Sequence, residues 1–202
     1  MGNKEDLLAA ARTCIYERGF AATTARDIAT QAGVSLAAIG YHFGSKDRLL
    51  TEAFTDETGR VIGDDLELRI RATAGQSPAA AFPQVWEGIA ELFERNREVL
   101  VASVENLVRV HRTPSEQGRM GELSEIGATE IATTLAETHP DLDPAQARAL
   151  GGLYMLLLNG LVMQWMSHPD GVLPTGSELG AAISALTGEN RSAHEKTPDQ
   201  KN

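Results

Sequence analysis

The chain has 202 residues, 42% hydrophobic, with 18 basic and 28 acidic side chains, a formal net charge of −10 and one cysteine. That length can bury a sizeable core, so stabilising crosslinks are not required, and the lone Cys14 excludes an internal disulfide. The opening MGNKED has no apolar stretch, and Asp6 stands where a myristoylation motif needs serine or threonine, so a cytoplasmic location without lipid anchoring is expected.

The spacing predicts a first helix over 4–18, ended by Gly19, with Phe20 reaching back to Ile15 across a Schellman turn. Cys14, among Leu7, Leu8, Ala11 and Ile15, reads as a small core residue. The next stretch, TTARDIATQAGVSLAAIGYHFGSKDRLL over 23–50, encodes two short helices and the start of a third. Thr24 is an N-cap with Asp27 as the acidic partner of a capping box, so a helix starts at Ala25. Gly33 supplies the left-handed turn after Ala32, and Ser35 caps the second helix. Ala29, Gly33 and Ile39 hold the small, turning and apolar positions that let two helices cross closely, which is helix-turn-helix spacing.

Ile39 then faces inward, leaving Leu36, Ala37, Ala38, Gly40, Tyr41 and His42 outward, while Phe43 plugs the core. A recognition helix with small side chains approaches the major groove closely but reads little by hydrogen bonding. Arg26, on the preceding helix, is the candidate for a bidentate base contact. Thr24, Tyr41, His42 and Lys46 suit phosphate, and Ser35 joins the DNA-facing set. Ser45 caps a third helix whose amide-rich start faces the backbone.

Beyond the head, 46–74 reads as one long helix, broken at 75–78. Helices are expected over 79–96 and 99–110, a loose polar stretch over 113–121, and a further helix over 122–138. Asp143 caps a helix running to about Ser167, and Ser177 caps a last one with Leu179, Ala182, Ile183 and Leu186 on one side. Within the penultimate helix, LYMLLLNGLVMQWM is an apolar run of fourteen residues, too few to cross a bilayer, and reads as a buried helix. Being apolar on more than one face, it calls for a second chain, and the last two helices of each protomer are expected to form a four-helix dimer interface. The polar tail over 188–202 is expected to be disordered.

Residues 23–50, and above all Tyr41-His42-Phe43 followed by Gly44, Ser45 and Lys46, resemble the DNA-binding segment of the TetR family of bacterial transcriptional regulators. The likeness spans about residues 5–54. It implies an all-α fold in which an N-terminal three-helix helix-turn-helix domain is joined by a long helix to a C-terminal helical ligand-binding and dimerisation domain. The divisions are expected at 1–50, 51–187 and the tail. By position, Thr24, Tyr41, His42 and Lys46 would be backbone anchors, with Arg26 and Leu36 to Ala38 near bases. Gly40 departs from the pattern, which often has a larger residue there.

Residues 1–50 carry six basic and five acidic groups, and residues 51–202 twelve and twenty-three. An acidic body stays off DNA while the head docks, which makes affinity depend on a few placed contacts. The expected function is a dimeric repressor bound to a palindromic double-stranded operator and released by a small-molecule effector. An effector pocket is expected among Trp86, Phe93, Met120, Tyr154 and Met155, with Glu105, Asn106, His111 or Asn159 as a polar handle. The alternative is a DNA-binding regulator without such an effector, controlled by a protein partner or constitutive. There is no phosphate-binding glycine loop and no His and Cys cluster at metal spacing, so no catalytic, cofactor, metal or membrane role is expected.

Overall fold

The structure, a computed structural model, describes residues 2–168 and 172–187; the expected disordered tail lies outside the described residues. Every regular element among them is helical: α1 (Gly2–Ala22), α2 (Ala25–Gln31), α3 (Leu36–Phe43), α4 (Lys46–Thr58), a π-helical turn (Gly59–Gly63), α5 (Asp64–Arg71), α6 (Pro78–Trp86), α7 (Ile89–Arg95), α8 (Arg97–His111), α9 (Pro114–Thr138), α10 (Pro144–Ser167) and α11 (Gly176–Thr187).

Two apolar cores organise these helices. The head core gathers Leu7, Ala11, Cys14 and Ile15 of α1, Ile28 and Ala29 of α2, Ile39 and Phe43 of α3, and Leu49, Leu50, Ala53 and Phe54 of α4. Helix α1 kinks at Gly19, whose φ of 76° and ψ of 166° are open to glycine. That geometry is not a Schellman turn: the chain resumes its helix, and Phe20 packs on Phe54 with ring centroids 4.9 Å apart. The body core gathers Ile62, Leu66 and Ile70 with Phe82, Trp86, Phe93, Leu135, Tyr154 and Trp165. Helix α8 serves both cores, with Ala102 in the head and Leu100 in the body.

The long helix expected over 46–74 is continuous in direction but not in type, because the π-helical turn separates α4 from α5. Just before it, the carboxylate of Glu57, a residue 7% exposed, lies 3.3 Å from Arg12 Nε and 2.6 Å from Arg60 Nη2. The single helix expected over 79–96 is two, since Glu87 is extended and Gly88 takes a left-handed φ of 67°. Residues 114–121, expected to be loose, form the first turns of α9: Pro114 suits a helix start, and Arg119 bridges to Glu52 and Glu122.

Helix α11 is capped by Thr175 rather than Ser177. Thr175 Oγ1 accepts from Glu178 N at 3.1 Å, and the Glu178 carboxylate accepts from Thr175 N at 2.8 Å. Its inner side sits against α6, where a Cβ on Gly180 would come within 2.5 Å of Pro83 Cγ. Leu186 is 84% exposed, so the expected single apolar face is divided. Helix α10 runs 24 residues, long and apolar enough by length and composition alone to cross a membrane, but it packs along α9. A Cβ on Gly151 would lie 2.7 Å from Ala128 O, so these two backbones nearly touch. Tyr154, Leu161, Val162 and Trp165 of α10 are buried, whereas Leu156 is 72% exposed and Met163 is also exposed; the helix is only partly buried.

Candidate nucleic-acid interface

The site begins with the cap of α2. Thr24 Oγ1 accepts from Asp27 N at 3.2 Å, and Asp27 Oδ2 accepts from Thr24 N at 3.0 Å, closing a capping box. The Thr24 hydroxyl also bonds Asp27 Oδ2 at 2.6 Å, and Arg18 Nη1 stands 3.1 Å from Oδ1. Hydrogen bonds from Thr24, reinforced by Arg18, hold the Asp27 carboxyl below its ordinary range. Gly33, at φ 66°, then turns the chain, and Val34 N donates to Ala29 O at 3.0 Å.

Helix α3 leaves this turn with Ile39 and Phe43 inward. Leu36, Ala37, Gly40 and Tyr41 are exposed, with Tyr41 at 85%. Ala38 is half-buried against the head core, so the outward face is narrower than expected. His42 is half-buried, its ring 4.9 Å from that of Tyr41 in an edge-on arrangement. Ser35 is extended and makes no capping hydrogen bond, contrary to expectation, and it stays exposed beside the helix start. Ser45 does cap α4, its Oγ accepting from Arg48 N at 3.1 Å.

Among the described residues of the head, the cations are mostly engaged. Arg12 pairs with Asp56 and Glu57, Arg18 with Asp27, and Arg48 with Glu52. Lys46 Nζ donates to Thr23 O at 3.0 Å. Arg26 is exposed on α2 and makes no ion pair among the described residues. One residue that the sequence did not single out is Arg109 of α8, which bonds the start of α4. No sequence signal joins positions 62 residues apart.

The expected effector residues are not brought to one cavity. Trp86, Phe93 and Tyr154 lie in the body core, with Trp86 and Tyr154 ring centroids 5.3 Å apart and Phe93 packed on Trp165 at 6.0 Å. Burial pushes the Tyr154 phenol up to about 12. Trp86 Nε1 has no hydrogen-bond partner among the described residues. Met120 and Met155 are half-buried, Asn106 is buried, and Glu105, His111 and Asn159 are exposed. A recess of about 150 Å³ is lined instead by Gln164, His168, Val172 and Leu173.

A capped helix, a glycine turn, an exposed second helix and a third helix starting beside it make up a helix-turn-helix head. Residues 7–53 match the family described as bacterial regulatory proteins, tetR family. The chain is 43% identical over 65 residues to the HTH-type transcriptional repressor KstR2 of Rhodococcus jostii, a stretch covering 32% of this chain and 29% of that one. The match thus spans less than a third of that relative's length. In fold, the chain is similar to the TetR family repressor AlkX from Dietzia, described as implicated in biodegradation of n-alkanes, with a TM-score of 0.64, 18% identity, and 94% and 95% of the two chains covered. It is also similar to the multidrug binding protein EbrR complexed with imidazole, with a TM-score of 0.61, 20% identity, and 91% and 94% covered. The segment over 7–53 is thus similar to the DNA-binding part of tetR-family regulators, and the chain as a whole shares their all-helical fold.

Proposed function

We propose that the protein is a cytoplasmic homodimeric repressor that binds a palindromic operator and is released by a small-molecule effector. The observation that carries the reading is the face formed by exposed Arg26, Ser35, Leu36, Ala37, Gly40 and Tyr41. Small residues there admit the α3 backbone to the major groove, Arg26 reads a base edge, and Tyr41, His42, Thr24 and Lys46 hold phosphates. Repression is supported by the likeness of the head to the transcriptional repressor KstR2 of Rhodococcus jostii.

The head is read as 1–50 and the body as 51–187. Dimerisation is supported by the exposed stripe of Ala149, Leu156, Gly160 and Met163 along α10, small and apolar at helical spacing. Two heads related by a two-fold axis then meet half-sites about 34 Å apart or somewhat more. Binding selection from random duplexes, joined to sedimentation of wild type and Leu156→Glu, tests this reading. The expected result is a palindromic site bound by a dimer, and a monomeric variant that binds it poorly. A wild-type monomer with no duplex preference at low salt overturns it.

The effector side rests on the Trp86 and Tyr154 nest, where an indole N–H lacks a partner among the described residues inside an apolar core, and on the likeness in fold to EbrR, a multidrug binding protein seen in complex with imidazole. A second reading, a regulator without an effector, controlled by a protein partner or constitutive, is favoured by the close packing of Trp86, Phe93 and Tyr154. Thermal shifts against a metabolite panel separate the two, because a specific ligand raises stability by mass action.

A further inference from the structure

Helix α8 belongs to the body by sequence, yet Ala102 enters the head core, and Arg109, two turns on, lies on the same side. Arg109 Nη2 donates to Asp47 O at 3.1 Å and to Thr51 Oγ1 at 2.6 Å, while Nη1 stands 3.3 Å from Asp47 Oδ1. Asn106, 1% exposed, steadies the guanidinium: its Oδ1 accepts from Nη2 at 2.7 Å and from Nε at 3.2 Å. Thr51 in turn donates to Asp47 O at 3.1 Å. The Arg109 side chain is only 19% exposed, so these charge-assisted bonds are partly shielded from water.

Asp47 is the second residue of α4, directly after Lys46 and the Ser45 cap. The rigid guanidinium fork therefore fixes how far the start of α4 projects and which way it is turned. We infer that Arg109 is a positioning residue for DNA docking: from the body, without touching DNA, it holds the phosphate-facing start of α4 in register with α3. Sites of this kind tolerate displacements of only about 0.5 Å before binding suffers. The inference rests on that end of α4 facing the DNA backbone.

The test measures duplex affinity of the full chain by anisotropy across a salt series, with the active fraction set by stoichiometric titration. Arg109→Gln is expected to weaken binding about tenfold, on selected and scrambled duplexes alike. The slope of log K on log salt should stay at the wild-type value, because no phosphate contact is removed. Arg109→Lys, which keeps the charge but not the fork, should restore only part of the loss. Thr51→Val should weaken binding less, and add little in the Arg109→Gln background.

Wild-type affinity in the active fraction of Arg109→Gln overturns the inference. So does a slope shallower by about 0.9, which marks a direct phosphate contact. If Arg109→Gln does not unfold cooperatively, Thr51→Val alone decides, and unchanged affinity there overturns it. A wild-type protein that binds no duplex overturns the docking reading beneath it and this inference with it.

Discussion

Lys46 and Thr23 are joined by a 3.0 Å hydrogen bond from the Lys46 ammonium to the Thr23 carbonyl, which ties the first residue of α4 to the residue before the α2 cap. One proton of the ammonium is spent inside the head, and two remain for a phosphate. Lys46→Ala is therefore expected to weaken binding to every duplex alike and to lower head stability by about 1 kcal/mol. Tyr41→Phe, at a side chain 85% exposed, should weaken binding without changing stability. Anisotropy on selected and scrambled duplexes, alongside urea unfolding, checks both.

Arg26 is expected to behave differently, since no neighbouring carboxylate competes for it among the described residues. Arg26→Ala should relax preference at one base pair of each half-site by about 1 to 3 kcal/mol and leave the others as they were. Equal losses on specific and scrambled duplexes would mark Arg26 as a backbone contact instead.

Two glycines in the head should respond to alanine with opposite signs. A Cβ meets nothing within 4 Å at Gly33 or at Gly40, so space decides neither. Gly33 has a φ of 66°, and alanine there should destabilise by about 1 kcal/mol or more. Gly40 is helical, and alanine there should stabilise by up to about 1 kcal/mol. Denaturant midpoints measure the pair, and a stabilised Gly33→Ala contradicts the turn geometry.

The pH dependence should have two limbs. Asp27 and Glu178 are both held below their ordinary range by threonine hydrogen bonds. A depressed carboxyl contributes stability that is full above its unfolded value, about 4, and is lost as pH falls through the folded one, so both caps weaken in acid. Tyr154 is pushed up to about 12, so its contribution is full below the unfolded value of about 10 and is lost as pH rises from there toward about 12. Asp27→Asn should flatten part of the acid limb in urea unfolding at stepped pH; Tyr154→Phe should flatten part of the alkaline one.

The head was legible because its signals are local. The Thr24 and Asp27 box, Gly33 and Ser45 each fix a helix end in the head through neighbours within a few residues, as Asp143 does in the body, and all are found where expected. Ser35 does stand at the N-cap of α3 but makes no side-chain bond there, and Ser177 lies inside α11, which Thr175 caps: a serine permits a cap, but the backbone path chooses whether to use it. The stretch 114–121 looked loose because its composition is polar, and its helix gains support from Arg119 reaching Glu52, a contact no local window contains. The break at Gly88 and the crossing at Gly151 likewise belong to packing. Among the expected effector residues, apolar periodicity found the buried Trp86, Phe93 and Tyr154, but it carries no signal for the polar handles, of which Asn106 is buried and Glu105, His111 and Asn159 are exposed.

The π-helical turn between α4 and α5 sets the phase of the rod that joins head to body. Phe54 faces the head core and Ile62 the body core, eight residues later, which on an unbroken α-helix would put them about 80° apart around the axis. A turn that absorbs one extra residue reduces this to about 20°, so a single stripe along the rod can face both cores. Rewinding that turn without removing a residue would swivel one end against the other by about 100° and carry the DNA-facing surface with it.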